Sequence, residues 1–330
     1  MTTGRLIGRL RGRALIAASW LACHLPEGPL VRLAEVAGDL WYRATPDRAA
    51  QARRNLRRVA GVLAARDAGS AEVRAAATDP RALERLVRAA YRHAARYYLE
   101  VARTPAIGVG DIEARLAIET PAVVDEAFTG GAVLFVGLHF GSLELPGLFM
   151  ASRVGGAVAP METLDDPGLQ DWFVRTRGAM GIRIVGLREA RRELMTALRD
   201  GTSVGLVGDR DLTGGGILTE LFGAPATLPL GPAMLAVESG ARPYVVGVRR
   251  SGVGRYVGRL ERVAVPPDGD RRTRVTATTS AIAAAFERII EDAPEQWWAV
   301  FFPIWPDLEG EVAPASARAP DEARPKAGVR

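Results

Sequence analysis

The stretch at residues 133–144, VLFVGLHFGSLE, decides the fold of this chain. Its apolar first half has the length and composition of a buried β-strand, and His139 follows that strand directly. Gly141 then permits a tight turn, Ser142 is expected to cap the next helix, and Glu144 falls in the first turn of that helix. A buried strand that leads through a short turn into a helix is typical of a layered α/β sheet.

Short apolar runs alternate with amphipathic runs through the middle of the chain. The apolar runs predict strands at residues 132–138, 157–161, 182–185, 203–208 and 244–248. Helical patterns lie between them at residues 167–180, 189–199, 230–239 and 276–290. The alternation at residues 256–265 predicts an edge strand. We therefore expect an α/β fold with a mixed, largely parallel central sheet flanked by helices.

The N-terminal part of the chain has a different composition. Residues 1–103 are rich in Ala, Leu and Arg and are expected to be helical throughout, with helices that begin at Pro46 and Pro80. We interpret them as an N-terminal helical region at the membrane interface. Residues 104–308 then form the α/β core, and residues 309–330, rich in Pro, Ala, Glu and Arg, are expected to be a disordered tail.

The first 25 residues combine arginines with an apolar run. The run at residues 14–25 has about half of the ~20 residues that a membrane-spanning helix needs. Two interpretations remain open: a helix at the membrane interface, with Trp20 at the headgroup level, or an amphipathic helix packed on the domain. We favour the first, which predicts a peripheral or monotopic protein on the cytoplasmic face of the cell membrane. The arginines all precede the apolar run, at Arg5, Arg9, Arg11 and Arg13.

The composition excludes several classes of protein. The 330-residue chain is 48% hydrophobic and 25% charged, which rules out a disordered or collagen-like chain. A single cysteine rules out an internal disulfide framework and a cysteine-based zinc site, and three histidines leave little for a histidine-rich metal centre. The net charge of +5 is carried almost entirely by arginine, which suits phosphate-bearing partners such as anionic lipid or nucleic acid.

His139 is the residue best placed for catalysis. Catalytic side chains of open α/β sheets gather outside the carboxyl ends of strands, where an imidazole can act as a general base. The alternative is a histidine whose ring is satisfied by backbone groups. A second buried run, SVGLVGDRD at residues 203–211, ends in carboxylates; if the two strands are neighbours, Asp209 can hold the imidazole. The alternative for residues 209–211 is a solvated turn.

The segment after this second strand carries two further signals. The glycines at residues 214–216 predict a hairpin or flexible turn rather than a phosphate-binding loop, because no helix begins there. Residues 222–227 predict an apolar loop that leads into a helix opened by Pro232.

Four ordered segments, HFGSLE, GDRDL, ELFGAPATLPLGPAMLA and SGARPYVVGV, resemble a known family. They are similar to those of the bacterial lipid A lauroyl/myristoyl acyltransferases, which include the actinobacterial phosphatidylinositol mannoside acyltransferases. The His-x4-acid signature of that family corresponds to His139 and Glu144. Its acidic-x-Asp segment and FFG-type loop correspond to Asp209, Asp211 and Phe222.

The resemblance covers roughly residues 30–308 and has two departures. Weaker signatures match at residues 53–56 (RRNL) and 177–181 (R-x-x-x-G). The Pro-x-Gln-Trp segment at residues 294–297 is present, but the basic residue usual near it in the lipid A branch is missing, and the N-terminal spanning segment is shortened. Both departures count against lipid A itself as the acceptor.

The resemblance implies acyl transfer from a thioester, either acyl-CoA or acyl carrier protein, to a hydroxyl of a phosphatidylinositol mannoside-like or lipid A-like glycolipid. His139 would be the general base, with Glu144 or Asp209 holding the imidazole, and no metal or other cofactor is expected. The oxyanion would be stabilised by backbone N–H groups or by Arg177. No Ser or Cys lies in a nucleophile elbow, so a covalent acyl-enzyme is not expected.

Candidates for substrate binding have weaker support. Arg177 and Arg210 are candidates for a phosphate group, as are Arg175, Arg249 and Arg250, with a solvated surface as the alternative. We also assign Asp211 and Phe222 to substrate binding. Candidates for an apolar acyl channel, with core packing as the alternative, are Phe140, Leu145, Leu148, Phe149 and Met150.

Two other functions remain in competition. A soluble thioesterase or lipid hydrolase would use the same residues on water, although the G-x-S-x-G elbow is missing. A nucleic-acid-binding protein would fit the basic charge, but no recognised module is present and the arginines are not interleaved with aromatic residues. Nucleic acid is therefore not among the partners that we expect.

Overall fold

The computed structural model describes residues 3–211 and 214–309. A seven-stranded sheet carries helices on both faces, and a two-stranded sheet forms a separate hairpin. The strands are β1 (Leu116–Ile118), β2 (Val133–Gly137), β3 (Ala157–Met161), β4 (Ile182–Gly186), β5 (Ser203–Val207), β6 (Ile217–Leu221), β7 (Ala224–Leu228), β8 (Arg242–Gly252) and β9 (Arg255–Arg262).

Twelve α-helices lie in the described part of the chain. They are α1 (Thr3–His24), α2 (Glu27–Ala44), α3 (Pro46–Ala65), α4 (Ala71–Ala75), α5 (Pro80–Arg103), α6 (Val109–Arg115), α7 (Pro121–Phe128), α8 (Glu144–Val154), α9 (Pro167–Ala179), α10 (Ala190–Arg199), α11 (Gly231–Ser239) and α12 (Arg271–Ile290). Short 3₁₀ turns lie at Thr104–Ala106, Pro294–Gln296, Trp298–Phe301 and Pro306–Leu308.

The central sheet has the order β1-β9-β8-β2-β5-β3-β4. Every neighbouring pair is parallel except β8 and β9, which are antiparallel. The expectation of a mixed, largely parallel sheet in an α/β fold is therefore confirmed. Strands β2 and β5 lie side by side, with Gly137 opposite Val207, so their carboxyl ends lie at the same level.

The core is divided by the sheet because successive side chains of a strand point to opposite faces. Leu134 and Val136 of β2 pack in a large cluster with α3, α5, α10, α11 and α12. Val133 and Phe135 of the same strand pack in a smaller cluster with α6, α7 and α8. The site residues that leave the end of β2 therefore lie between two packed layers.

The N-terminal region is helical, as predicted, and α3 and α5 begin at the prolines named above. Helix α5 lies at its centre. At Gly38 of α2, an added Cβ would lie 2.8 Å from the Tyr91 carbonyl oxygen of α5, so the two helices are in close contact. Ser19 of α1 donates a hydrogen bond to the Ala102 carbonyl of α5. Among the described residues, no helix is long and apolar enough to cross a bilayer. Residues 310–330 of the expected tail lie outside the described residues.

The interpretation of residues 222–227 as a loop was wrong. They form the turn and second strand of the β6–β7 hairpin. Phe222 and Gly223 make the turn with φ of 47° and 70°, the positive values that a two-residue hairpin turn requires. Phenylalanine rarely adopts this conformation, so residue 222 did not indicate a turn in the sequence. Burial of its side chain and a hydrogen bond from its N–H to the Glu287 carboxylate hold it in place.

Two smaller expectations were also wrong. The strand predicted at the edge, β9, lies inside the sheet, because the three-residue strand β1 pairs with its outer side. Ser142 does not cap α8, whose N-cap residue is Leu143 without a side-chain hydrogen bond. The turn instead brings Ser142 against β8, where its N–H donates to the Val248 carbonyl.

Candidate active site

His139 and Asp209 meet at the carboxyl edge of the sheet. The N–H of Gly208 donates to the carbonyl of Gly137, which extends the pairing of β2 and β5 beyond the strands. Asp209, one residue after Gly208, and His139, two residues after Gly137, are therefore carried to the same place. The condition on which the sequence prediction depended, that the two strands be neighbours, is met.

The carboxylate of Asp209 makes three contacts. Its Oδ1 lies 2.6 Å from Nδ1 of His139, and its Oδ2 accepts hydrogen bonds from the His139 backbone N–H at 2.9 Å and the Trp297 indole N–H at 2.8 Å. Only 1% of the Asp209 side chain is exposed. Burial alone would raise the pKa of Asp209, but the charge of His139 and these hydrogen bonds hold the pKa below its ordinary value. Asp209 is therefore the ionised partner of the imidazole.

The turn after His139 depends on glycine. Gly141 has a φ of 51°, in the left-handed region, and an added Cβ would overlap the Val248 carbonyl oxygen. The close approach lets the N–H of Ser142 donate to that same carbonyl at 2.9 Å. The turn therefore lies directly on β8.

The segment at residues 296–298 holds the other side of this turn. The N–H of Gly141 donates to the Gln296 carbonyl, and the N–H of Trp298 donates to the His139 carbonyl, both at 2.9 Å. The Trp298 ring stands edge-on to the imidazole, with 4.4 Å between ring centroids. No contact of this segment with the site was predicted, although Gln and Trp side chains can both pack and donate hydrogen bonds.

Arg250 ties the turn to the N-terminal helices. Its guanidinium, 1% exposed, pairs with the Glu100 carboxylate of α5 at 2.6 and 2.7 Å and donates to the Gly141 carbonyl at 2.9 Å. The Gln296 side chain bonds to both the N–H and the carbonyl of Arg250. Arg250, a candidate for phosphate binding, is thus occupied within the protein. Arg249 pairs with Glu119.

Glu144 does not contact His139. It begins α8 and pairs with Arg177 of α9, whose Nη2 and Nε lie 2.7 and 3.2 Å from the carboxylate. Burial works to lower the pKa of Arg177, but the charge and hydrogen bonds of Glu144 raise it above its ordinary value. Of the two carboxylates proposed to hold the imidazole, the structure brings only Asp209 to it.

An apolar cavity of about 140 Å³ lies between α8 and the sheet. Glu144 and Arg177 are among its lining residues, together with Met150 of α8. A smaller cavity on the same face has entirely apolar neighbours apart from Arg259, and Phe149 and Met150 line it. The two cavities share Phe135, Pro146, Met150 and Val246.

Phe140 and Phe222 lie elsewhere. Both belong to the large core cluster on the opposite face of the sheet, and their side chains are almost fully buried. This placement favours the core-packing alternative for Phe140. Asp211 accepts hydrogen bonds from the N–H groups of Gly214 and Gly216, so its carboxylate shapes the turn after β5.

Arg210 lies beside the pair His139–Asp209, which we call the dyad. Its guanidinium carbon lies 3.6 Å above the centre of the Phe302 ring. Arg175 is exposed on α9. Within residues 3–211 and 214–309, no group of three or more His, Cys, Asp or Glu side chains is placed to bind a metal ion.

The geometry can be compared with known proteins. The family model of the bacterial lipid A biosynthesis acyltransferases matches residues 10–301, which include the strands, the dyad and the segment around Trp297. The chain belongs to this family. The family assignment made from the four ordered sequence segments is confirmed.

Two related proteins share a more specific name. The phosphatidylinositol mannoside acyltransferase of Mycobacterium tuberculosis is 30% identical over 295 residues, which cover 85% of this chain and 84% of the relative. The protein of the same name from Mycolicibacterium smegmatis is 29% identical over 218 residues, covering 64% and 70%. This acyltransferase is thus similar to proteins named for a mannoside acceptor.

Proposed function

We propose that this acyltransferase moves a fatty acyl group from an acyl thioester to a hydroxyl of a phosphatidylinositol mannoside-like glycolipid at a membrane surface. The observation that carries the proposal is the contact of His139 with a buried, ionised Asp209 at the carboxyl edge of the sheet. The acceptor is inferred from the names of the two relatives.

His139 serves as the general base. Asp209 accepts a hydrogen bond from Nδ1, and Nε2 makes no hydrogen bond to any residue that the structure describes. The acceptor hydroxyl gives its proton to Nε2 as its oxygen attacks the thioester carbonyl carbon. The carbon–sulfur bond then breaks, the acyl group remains on the acceptor oxygen as an ester, and the thiolate takes the proton from the imidazolium. Asp209 stabilises that imidazolium.

Transfer is direct, without an acyl-enzyme. Ser142, the serine nearest to His139 in sequence, is almost fully buried. Because its side chain is buried and its backbone is held against β8, Ser142 is not an exposed nucleophile of the elbow type. The apolar cavities beneath α8 supply space for part of the acyl chain.

The N-terminal helices form the membrane-facing surface. Leu15 and Leu21 of α1 and Leu33 and Leu40 of α2 each expose more than half of their surface, while other faces of these helices pack on α5. Exposed leucines on a helix face are costly in water and suit the headgroup boundary. Helix α1 also contacts α9 at Gly12 and Asp166, and α9 carries Arg177 of the cavity lining. Helix α9 therefore connects the leucine-bearing helix α1 with the wall of the cavity.

The test is acyl transfer by the purified protein from an acyl-CoA, or from acyl carrier protein, to phosphatidylinositol mannoside, with the ester product measured by mass spectrometry. His139→Ala should lower turnover by at least ~10²-fold, the usual size of general-base catalysis. His24→Ala, a change of an exposed histidine on α1, is the control and should retain activity. A folded His139→Ala variant with wild-type turnover would contradict the proposal. Thioester hydrolysis at the same rate with and without acceptor would instead favour the thioesterase.

A further inference from the structure

Two arginines share one aromatic ring next to the dyad. The guanidinium of Arg210 lies 3.6 Å from the centre of the Phe302 ring, and that of Arg48, in the first turn of α3, lies 5.5 Å from it. Arg210 follows strand β5, Arg48 lies near the start of α3, and Phe302 follows the 3₁₀ turn at Trp298–Phe301. Three distant parts of the chain therefore meet at one ring. Arg210 is the direct neighbour of Asp209, so the ring and its two cations lie at the same edge of the sheet as His139.

Neither guanidinium forms an ion pair with a carboxylate in the described part of the chain. Within residues 3–211 and 214–309, neither Arg48 nor Arg210 makes a hydrogen bond or an ion pair. Other partly buried arginines of α3 do: Arg53 pairs with Glu84, and Arg58 pairs with Asp307. Arg48 therefore differs from these arginines, although it is also partly buried.

Burial has the largest effect on the Arg210 guanidinium. Burial lowers the pKa of Arg210, and the positive charge of Arg48 adds to this effect. Asp209 and the exposed Glu162 act in the opposite direction, but the Asp209 carboxylate is already occupied by His139 and Trp297. The contact with Phe302 orients the Arg210 guanidinium, and no described residue accepts a hydrogen bond from it.

We infer that Arg48, Arg210 and Phe302 form a subsite for a phosphate group of a substrate. Guanidinium groups bind phosphate oxygens through paired hydrogen bonds, and two cations held at one ring match a phosphodiester or pyrophosphate. The inference rests on the proposed function only in naming the two substrates that could carry this phosphate group. These are the acyl donor, through the pyrophosphate of coenzyme A, and the acceptor, through its inositol phosphodiester.

Binding of four soluble probes by titration calorimetry tests the subsite without any turnover, so a failure of the acyltransferase assay does not affect the result. The probes are coenzyme A with pantetheine as its phosphate-free control, and glycerophosphoinositol with inositol as its control. The double variant Arg48→Gln/Arg210→Gln should bind one phosphate-bearing probe at least about tenfold more weakly than wild type. Loss for coenzyme A assigns the subsite to the donor, and loss for glycerophosphoinositol assigns it to the acceptor.

Two further variants separate the contribution of the charges from that of the ring. Arg57→Gln removes an exposed cation from the same helix and should leave all four affinities unchanged. Phe302→Leu keeps both charges but removes the ring, and should weaken the same probe as the double variant. The inference is overturned if the folded double variant binds both phosphate-bearing probes as wild type does, or if wild type does not distinguish either probe from its control.

Discussion

The indole N–H of Trp297 lies 2.8 Å from Oδ2 of Asp209, although the two residues are 88 positions apart in the chain. The other oxygen of the same carboxylate contacts His139. Trp297 is fully buried, so its indole is fixed in place and always presents this donor. A tryptophan outside the sheet thus helps to hold Asp209 in place and adds to the effect of His139 in lowering the pKa of Asp209.

Trp297→Phe should reduce turnover about tenfold or more, because a hydrogen bond to a buried charged group is worth roughly 1.5–3 kcal/mol.

Trp297→Phe should also change how the free energy of unfolding depends on pH. The lowered pKa of Asp209 contributes stability that is present above the unfolded pKa of about 3.9 and is lost as the pH falls through the folded pKa. The variant raises the folded pKa toward the unfolded one. The difference in the free energy of unfolding between wild type and variant should therefore shrink below about pH 4.

Trp305→Phe is the matched control. It also removes a buried indole donor, but that donor bonds to the Leu221 carbonyl, which does not titrate. The control should lose stability by a similar amount at every pH and keep the pH–rate profile of wild type. If Trp297→Phe behaves in the same way, the indole has only a packing role.

Gly141→Ala should abolish turnover and lower stability by more than the ~1–2 kcal/mol that a left-handed conformation costs a non-glycine residue. The added Cβ would meet the Val248 carbonyl, so the turn that carries His139 must move. Thermal unfolding and the transfer assay measure the two effects.

Gly155→Ala separates the two causes of strain. Gly155 has a φ of 72°, similar to that of Gly141, but nothing lies within 4 Å of an added Cβ. Its loss of stability should stay near ~1–2 kcal/mol. Equal effects of the two substitutions would mean that the contact with β8 does not constrain the catalytic turn.

Glu144→Gln should destabilise the protein by about 1.5–3 kcal/mol, because it leaves Arg177 without its charged partner in a largely buried place. The double variant Glu144→Leu/Arg177→Met should recover most of this loss, since apolar residues can replace a buried ion pair. Each nitrogen of Arg177 already has a partner, either Glu144 or the sulfur of Met161. We therefore expect the double variant to retain turnover within about tenfold of wild type. A stable double variant that has lost turnover by ~10²-fold would instead assign Arg177 to the oxyanion.

Leu15→Gln/Leu21→Gln/Leu33→Gln should release the protein from anionic vesicles, measured by sedimentation. Each leucine transferred into the interface contributes up to roughly 1.5–3 kcal/mol. High salt should weaken binding of wild type without abolishing it, because the apolar contacts are not screened. Turnover of a short soluble thioester should be unchanged.

Leu218→Gln is the matched control, since Leu218 is as exposed as these leucines but lies on the β6–β7 hairpin. It should bind vesicles as wild type does. A wild-type protein that never sediments with vesicles would remove the membrane proposal. Protein that resists carbonate extraction would indicate stronger insertion than these helices explain.

The sequence predicted the sheet and the dyad for physical reasons. Strands β2 to β5 are short apolar runs with clear ends, and parallel strands bring their carboxyl ends to one edge, so His139 and Asp209 could be placed together on one condition. The sequence could not decide whether Asp209 or Glu144 contacts His139. Residue spacing does not show which element the first turn of α8 packs against. That neighbour is α9, which lies later in the chain.

The role of Trp297 could not be predicted either. Aromatic residues in an apolar segment look like core, and Trp297 does pack in the core. Only the three-dimensional path of the chain shows that its one polar atom meets Asp209. The phosphate subsite could not be predicted for the same reason. No sequence motif marks Arg48 or Phe302, and only the tertiary structure brings them together.

The pairing of residues 296–298 with the turn after His139 also fixes when the enzyme becomes competent during its own synthesis. His139 and Asp209 leave the ribosome long before Trp297, so a growing chain holds both members of the dyad without the groups that clamp them. A fragment cleaved or stalled before Gln296 would keep the chemistry-bearing side chains but not their alignment. We therefore expect activity to appear in one late step, when the final residues of the family domain dock, rather than gradually as the sheet assembles.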